Sequence, residues 1–384
     1  MPKKKLLNWI ELSRSALKKN ISSLARLATG KILSVSVKAN AYGHGLTEIV
    51  TMLNTNKAVK YLTVHSLEEA VQCRQTGWNK KIMMLGPIPL SDTDAIIEYD
   101  LEPVIFNQEC LNKLGKAGKK YTKHIKTHLK LETGTNRQGV MEEDLPEFAE
   151  IYKKYNSLKK PYGASTHFAN IEDTTNHEYA LYQLGRFNRM IDILDSLNQK
   201  PAVRHTASSA ATLLFEKTHF ELVRPGIAVY GHWPSKETYL SYQHKGGQNK
   251  LFKPVLTWKT RVTQIKQIPP DSFVGYGCTY RTTSDACLAV LPIGYYDGYP
   301  RALSNQAYVL INGKRAPVRG RVCMNLTMVD ITDIQKVKYE DEAIIIGASQ
   351  KEILSAEQLA EWVKTINYEI LARLSSAINR KIVP

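Results

Sequence analysis

Lys38 and the loop after it are the residues best suited to covalent chemistry. Lys38 directly follows an apolar run, within V-K-A-N-A-Y-G-H-G at residues 37–45. A lysine partly removed from water has a lowered pKa, and its neutral amine can form a Schiff base with an aldehyde cofactor. Tyr42, Gly43 and Gly45 form a loop in which the backbone can approach an anion, for which a phosphate is the natural candidate.

A second anion site is predicted in V-R-P-G-I-A-V-Y-G, residues 223–231. The amides of Gly226 and Ile227 could hold phosphate oxygens, and the hydroxyls of Ser208 and Ser209 could serve the same purpose. The alternative is a Pro-Gly turn with no ligand. We favour the anion site because the eighth strand of a β/α barrel is the usual place for a phosphate.

Several ionisable side chains are predicted to lie where barrel strands end, which is where functional groups cluster in such folds. They are Lys38, His65, Lys130, Arg137, His167, His205 and Arg224. Any one of them alone could be a structural residue with satisfied hydrogen bonds. Their shared position at strand ends favours a functional site.

Three dense motifs place glycines beside tyrosines or other polar residues in the last third of the chain. They are V-G-Y-G-C-T-Y (274–280), L-P-I-G-Y-Y-D-G-Y-P-R (291–301) and G-R-V-C-M-N (320–325). Such loops can present a phenol at a defined point, and a tyrosine can act as an acid or base when its pKa is lowered. The alternative is a set of aromatic cross-strand pairs.

These residues need a scaffold, and the first ~230 residues alternate apolar β-branched runs with helical patterns. The runs lie at residues 32–37, 61–64, 82–85, 103–106, 128–131, 163–167, 203–205 and 222–229. Eight strand–helix units predict an α/β fold, a (β/α)8 TIM-type barrel. A doubly wound open sheet is the competitor, but no dinucleotide fingerprint follows the first run.

The second half of the chain changes character. Residues 234–253 are polar and contain glycines, which predicts a linker. Beyond it, short strands with few helices predict a C-terminal mostly-β domain. The expected domains are therefore residues 1–245, the barrel, and 246–384, the β domain, with residues 9–12 a candidate strand of that second sheet.

Composition excludes several classes of function. The net charge is +16, but the lysines are scattered and no nucleic-acid motif occurs, so a basic solvated surface is favoured over a nucleic-acid partner. Five cysteines without a C-x-x-C argue against a disulfide framework or a structural zinc site, and no metal is expected. No membrane span and no secretion signal are predicted, which points to the cytoplasm.

With these motifs in hand, the chain resembles the alanine racemase family over essentially its whole length. V-K-A-N-A-Y-G-H-G, E-T-G-T-N-R-Q-G, T-H-F-A, V-R-P-G-I-A-V-Y-G, I-G-Y-Y-D-G-Y-P-R and G-R-V-C-M follow in the family's order. The resemblance implies a homodimer that binds pyridoxal 5′-phosphate, shares its active sites between subunits and interconverts L- and D-alanine. It also implies a role in supplying D-alanine for peptidoglycan.

The resemblance further implies a role for each matching residue. Lys38 carries the cofactor and is the base for the D-enantiomer, while Tyr276, from the other subunit, is the base for the L-enantiomer. The cofactor contacts implied are Lys38, Tyr42, His167, His205, Ser209, Arg224, Gly226, Ile227 and Tyr368. Arg137 and Met324 are implied in substrate binding, Lys130 as a carbamylated support for Arg137, and Tyr295 at the entrance.

Two positions depart from the family pattern and leave the substrate open. Ser208 stands where Asn is common, and Asn325 stands where Asp is usual. A racemase of serine, lysine or a broader set would keep the same catalytic pair. A barrel-type decarboxylase would share the lysine, but its cofactor ring nitrogen would face a carboxylate where this chain has Arg224.

Overall fold

The structure is a computed structural model that describes residues 5–384, so the first four residues of the expected first domain lie outside it. The chain forms two compact units. One, here called the barrel unit, comprises Lys18–Ala41 and Ile49–Lys253. The other, here called the β unit, comprises Met1–Leu17, Tyr42–Glu48 and Pro254–Pro384.

The strands follow in chain order and supply the labels used below. They are β1 (Asn8–Ser13), β2 (Ile32–Ser36), β3 (Val59–Val64), β4 (Lys81–Met84), β5 (Leu101–Ile105), β6 (His128–Lys130), β7 (Gly163–Ser165), β8 (Val203–His205), β9 (Leu222–Val223), β10 (Leu256–Arg261), β11 (Gln264–Ile268), β12 (Ala286–Leu291), β13 (Tyr308–Ile311), β14 (Lys314–Pro317), β15 (Thr327–Asp330), β16 (Glu342–Ser349), β17 (Glu352–Leu354) and β18 (Asn379–Val383).

Strands β2 to β9 form the parallel sheet of the barrel unit. Their order is β8-β7-β6-β5-β4-β3-β2-β9, so each strand from β2 to β8 lies beside its neighbours in sequence and β9 pairs with β2. The sheet is thus nearly closed, and the expected TIM-type barrel is confirmed. Its strands read as apolar runs because both faces are buried, as in other parallel sheets.

Helices cover the outside of the barrel strands. In chain order the helices are Arg14–Leu27, Leu46–Leu53, Leu67–Gln75, Thr93–Glu98, Gln108–Lys120, Leu145–Lys154, Glu178–Ser196, Ser209–Leu214 and Lys236–His244. Helix Glu178–Ser196 shows why they form. Leu184, Phe187 and Ile191 are buried at helical spacing, whereas Leu181 on the same helix is exposed.

The β unit contains two sheets, which confirms the mostly-β second domain. One has the order β14-β13-β16-β10-β1-β18 with β17 on β16, and the other has the order β11-β12-β15. Residues 9–12 lie in β1, which runs antiparallel to β10 and parallel to β18. Two short helices, Ala356–Trp362 and Asn367–Ala372, complete the unit.

Three expectations about local structure were wrong. The predicted linker contains the helix Lys236–His244, which Ser235 caps by accepting a hydrogen bond from the Thr238 amide at 2.9 Å. Among the short strands expected beyond the linker, the run at 317–322 predicts one, but the observed strand, β14, ends at Pro317. The eighth barrel strand ends at Val223, because Pro225 has no amide to continue a ladder.

Among residues 5–384, every helix is too short or too polar to cross a membrane.

Candidate active site

Lys38 stands at the end of β2, where the backbone turns sharply. The three residues after it have left-handed backbone angles, with φ of 53° at Ala39, 52° at Asn40 and 53° at Ala41. Consecutive left-handed residues that are not glycine are costly, by roughly 1–2 kcal/mol each. Such a turn persists only where its surroundings enforce it, which is common at functional sites.

Glu69 holds this turn in place through two hydrogen bonds. No motif in the sequence indicates this role. Its Oε1 accepts a hydrogen bond from the Ala39 amide at 2.6 Å, and its Oε2 accepts one from the His65 amide at 2.7 Å. One carboxylate therefore ties the loop after β2 to the loop after β3. The acidic residue after a capping serine was the only sequence signal for it.

The barrel unit holds two lysines whose ammonium forms are disfavoured. Burial, and then the charges of Arg137 and Arg224, lower the pKa of Lys38. Burial, and then the charges of Arg224 and Arg137, hold the pKa of Lys130 well below its usual range. A lowered pKa increases the fraction of neutral amine, which is the nucleophilic form that reacts with a carbonyl carbon.

Two histidines follow neighbouring strands and share this positive surrounding. His167 lies two residues beyond β7 and His205 ends β8. Burial is the largest cause that holds the pKa of each well below its usual range, and Lys130 and Arg224 add to it. Both imidazoles are therefore neutral at pH 7, and each has one donor and one acceptor nitrogen.

Arg224 follows β9 and is buried. Its Nη2 donates to the Thr166 carbonyl at 2.9 Å and to the His205 carbonyl at 3.3 Å. Arg137 lies in the loop after β6, where its amide donates to Glu132 Oε2 at 3.4 Å. The charges of both arginines act on Lys38 and Lys130, so the structure brings these four groups together.

A corner rich in polar groups lies at the start of helix Ser209–Leu214. Ser209 Oγ accepts hydrogen bonds from the amides of Gly226, at 2.9 Å, and Ala228, at 3.3 Å. Ile227 is the first residue of a 3₁₀ turn, where an amide has no acceptor within the turn. Ser208 Oγ is buried and has no hydrogen-bond partner among residues 5–384, so the corner fits an added acceptor such as a phosphate oxygen.

In the β unit, Tyr276 stands between two glycines on a short 3₁₀ turn. Gly275 has φ of 75° and Gly277 has φ of 72°, which favours glycine at both positions. The Tyr276 side chain is 71% exposed in the single chain. An exposed phenol on a turn of this kind is presented outwards, away from the core of its own unit.

Tyr295 and Met324 come together in the same unit. The Tyr295 amide donates to the Cys323 carbonyl at 3.1 Å, and the Tyr296 amide donates to the Met324 carbonyl at 3.0 Å. Gly294 allows this approach, because a Cβ atom there would overlap both carbonyl oxygens. Two of the three Gly- and Tyr-rich motifs therefore form one exposed surface.

Tyr42 and Tyr368, both predicted phosphate contacts, are also neighbours in the β unit. Their ring centroids are 6.0 Å apart. Arg380 fixes the loop that follows Tyr42, because its Nη2 donates a hydrogen bond to the Gly43 carbonyl at 2.8 Å. Gly43 is needed there, since a Cβ atom would overlap the Leu371 carbonyl.

Metal ligands and disulfides add nothing to this picture. Within residues 5–384 no group of three or more His, Cys, Asp or Glu side chains could hold a metal ion. All five cysteines are free thiols, and Cys73 and Cys110 are buried. The groups that the structure gathers in the barrel unit are amines, imidazoles and guanidiniums, and those in the β unit are phenols.

Comparison with known proteins identifies the relatives of the chain. Residues 12–234 match the family described as "Alanine racemase, N-terminal domain", and residues 255–382 match "Alanine racemase, C-terminal domain". An alanine racemase from Halothermothrix orenii is 38% identical over 97% of this chain and 96% of its own. One from Leptospira interrogans is 35% identical over 98% of this chain and 96% of its own.

Solved structures give the same result. An alanine racemase from Bacillus anthracis with bound L-Ala-P superposes with a TM-score of 0.91 at 30% identity, covering 99% of this chain and 96% of that one. An alanine racemase from Clostridium difficile 630, in complex with cycloserine, superposes with a TM-score of 0.89 at 30% identity, with coverage of 99% and 96%.

Proposed function

The chain belongs to the alanine racemase family, and on that premise we propose that Lys38 and Tyr276 are the two bases that move the α-proton of alanine. The family is pyridoxal 5′-phosphate dependent, and the chain is an isomerase of L- and D-alanine. The observation that carries the proposal for Lys38 is its lowered pKa at the end of β2, beside Arg224 and Arg137.

The residues of the chain fit the cofactor. When bound, pyridoxal phosphate supplies an electron-withdrawing ring that acidifies the α-proton of an attached amino acid. The neutral amine of Lys38 fits its aldehyde, and the corner around Ser209, Gly226 and Ile227 fits its phosphate. Tyr42 and Tyr368 are proposed as further phosphate contacts.

Arg224 is proposed to face the ring nitrogen. A guanidinium is a cation that donates hydrogen bonds and cannot accept one, so it disfavours a protonated ring nitrogen and the electron sink is weakened. A weakened sink disfavours side reactions such as transamination. His205, whose carbonyl Arg224 contacts, and His167 are proposed to connect this arginine with the tyrosine base.

Two bases on opposite faces are the simplest solution for racemisation, because a single base would have to cross the plane of the ring. Lys38 Nζ would take the proton of D-alanine and return one to form it. Tyr276 Oη would do the same for L-alanine. Lys38 and Tyr276 belong to different units of the chain, so they can approach the cofactor ring from different faces.

The remaining predicted residues are proposed to hold the substrate. Arg137 would bind the carboxylate of alanine, and Met324 would meet the substrate through its backbone. Lys130 would carry a carbamate that orients Arg137, which its lowered pKa supports because only a neutral amine adds carbon dioxide. Tyr295 would line the entrance.

We propose a homodimer in which Tyr276 acts in the active site of the partner. The β unit exposes large apolar and aromatic side chains on and beside its Gly- and Tyr-rich motifs. They are Phe273, Tyr276, Tyr295, Tyr296, Met324 and Leu326. Such exposure is uncommon on a monomer and is typical of an interface between subunits.

We further propose that the enzyme acts in the cytoplasm and supplies D-alanine for peptidoglycan. Ser208 and Asn325 bear on how strictly alanine is selected. Ser208 Oγ is buried and without a partner among residues 5–384, whereas Asn325 is exposed. A broader racemase, for serine or lysine, is the alternative that these two positions favour.

The test is incubation of the cofactor-loaded protein with L-alanine in deuterated water, followed by chiral separation and mass analysis. D-alanine carrying α-deuterium is expected. Racemisation of serine or lysine at a higher kcat/KM than alanine would establish the broader enzyme. Release of carbon dioxide without D-alanine would contradict the proposal and favour decarboxylation.

A further inference from the structure

A chain of three buried polar side chains runs through the inside of the barrel unit. Glu102 on β5, His128 on β6 and His205 on β8 are each 2% exposed or less. Glu102 Oε2 lies 3.2 Å from His128 Nε2, and His128 Nδ1 lies 2.9 Å from His205 Nε2. Gly163 leaves room for the chain, because a Cβ atom there would overlap the His128 ring.

Each end of this chain meets a cation. At one end, Lys81 Nζ lies 3.7 Å from Glu102 Oε1 and forms an ion pair with the carboxylate. At the other end, the Arg224 guanidinium donates to the His205 carbonyl at 3.3 Å. His205 Nδ1 is buried and has no hydrogen-bond partner among residues 5–384.

The protons along the chain can be assigned from the carboxylate. The Glu102 carboxylate, ion-paired with Lys81, can only accept, so His128 Nε2 carries the proton between them. With that proton on Nε2, the Nδ1 of His128 accepts from His205 Nε2–H. A neutral His205 in turn has a bare Nδ1. The tautomer of each histidine follows from the bond that its other nitrogen makes.

The opposite arrangement is unfavourable. A proton on His205 Nδ1 would leave a buried N–H without an acceptor, which costs free energy.

We propose that Glu102 is a positioning residue for racemisation, because through His128 it holds His205 as the neutral Nε2–H tautomer next to Arg224. The inference rests on the proposed role of Arg224 at the cofactor ring nitrogen. Glu102 itself touches neither substrate nor cofactor in this scheme. Its effect is to fix the ring of His205, the residue whose carbonyl accepts a hydrogen bond from the Arg224 guanidinium.

The direct test is ¹⁵N NMR of the holoenzyme labelled only at histidine nitrogens, with signals assigned by their loss in His128→Gln and His205→Gln. We expect His128 and His205 both to be Nε2–H in the wild type. In Glu102→Met, which removes the acceptor but keeps the volume, one buried N–H lacks an acceptor in either arrangement, so we expect both rings to populate Nδ1–H beside Nε2–H. An Nδ1–H or doubly protonated His205 in the wild type would overturn the inference.

A kinetic measurement tests the functional consequence. We expect Glu102→Met to lower kcat by about tenfold, the usual cost of removing the partner that orients a functional histidine, with KM for alanine changed much less. Glu102→Asp should recover part of kcat and the wild-type tautomers. The matched control is Glu150→Gln, which removes the carboxylate that pairs with Lys153 at 2.8 Å on the surface of helix Leu145–Lys154.

The outcomes separate this inference from the proposed function. The same kcat in Glu102→Met and Glu150→Gln would overturn the positioning role. If Glu102→Met does not fold, Glu102→Leu, which also lacks an acceptor, and the wild-type spectrum provide the same test. Tautomers are read from the spectrum whether or not alanine turns over, so a wild type without racemase activity would count against the proposed function alone.

Discussion

Tyr276 can be tested as a base for one enantiomer only. Replacing it with Phe removes the hydroxyl and leaves the ring and both flanking glycines in place. The equilibrium constant of racemisation is one, so net conversion must slow equally in both directions. The two half-reactions, however, are separable, because each base exchanges the α-proton on its own face.

We expect Tyr276→Phe to slow the exchange of the α-proton of L-alanine for deuterium by at least about 100-fold, the lower range for loss of a general base. Exchange at D-alanine, with retention of configuration, should continue through Lys38. Mass analysis of alanine recovered from deuterated water measures both. The control is Tyr280→Phe, a nearby tyrosine with no proposed role. Equal slowing for the two enantiomers would contradict the two-base assignment.

Glu69 gives a second prediction at the scale of one residue. Glu69→Gln should destabilise the protein by about 1–3 kcal/mol, because an amide cannot offer two oxygens to the Ala39 and His65 amides. Urea unfolding of the apo protein measures the change. The matched control is Glu109→Gln, in the first turn of another barrel helix, which should change the free energy of unfolding little. Equal changes in the free energy of unfolding for the two variants would show that the two hydrogen bonds of Glu69 contribute nothing to stability.

Residues differ in how far the sequence predicts them. Lys38 was predictable because its environment is encoded locally, by the apolar run before it and the Gly-containing loop after it. The contacts of Glu69 and Glu102 were not, because they depend on which strands the barrel brings together. The carboxylate of Glu102 meets a histidine 26 residues away, which no local pattern indicates.

At the scale of elements, seven of the eight barrel strands were predicted to within about two residues at each end, because each is a short apolar run buried on both faces, whereas the eighth was predicted six residues too long. The helix Lys236–His244 was missed. Its sequence is polar and the glycines after it suggested a loop, yet only Thr238, Ser241 and Tyr242 need to be buried to hold it. Short helices with so few apolar positions have a weak periodic signal.

Gly163 on β7 provides the prediction for an element. Gly163→Ala should destabilise the protein by about 1–3 kcal/mol, since a Cβ atom overlaps the His128 ring between two strands. Gly185→Ala is the control. Its Cβ atom meets nothing within 4 Å on the helix Glu178–Ser196, so alanine should be neutral or stabilise by up to about 1 kcal/mol. The midpoints of urea unfolding compare the two variants. Similar midpoints for Gly163→Ala and Gly185→Ala would contradict the packing argument.

At the scale of the whole molecule, the sequence predicted a barrel and a mostly-β domain, but it could not show which residues of the two come together in one active site. The barrel unit holds Lys38 with its surrounding cations, and the β unit exposes Tyr276 on an apolar surface. If each active site takes these residues from different subunits, then two inactive variants should complement each other. The reason is the symmetry of a dimer, in which each subunit contributes to both sites.

Lys38→Ala and Tyr276→Phe should each have little racemase activity alone. After the two are unfolded together, refolded and loaded with cofactor, about half of the dimers should be mixed, and one of the two sites in each should hold both intact bases. The expected activity is thus about a quarter of the wild type. Mixing without unfolding is the control, since dimers that do not exchange should stay inactive. Refolded mixtures that dimerise and bind cofactor yet stay inactive would place both bases in one subunit.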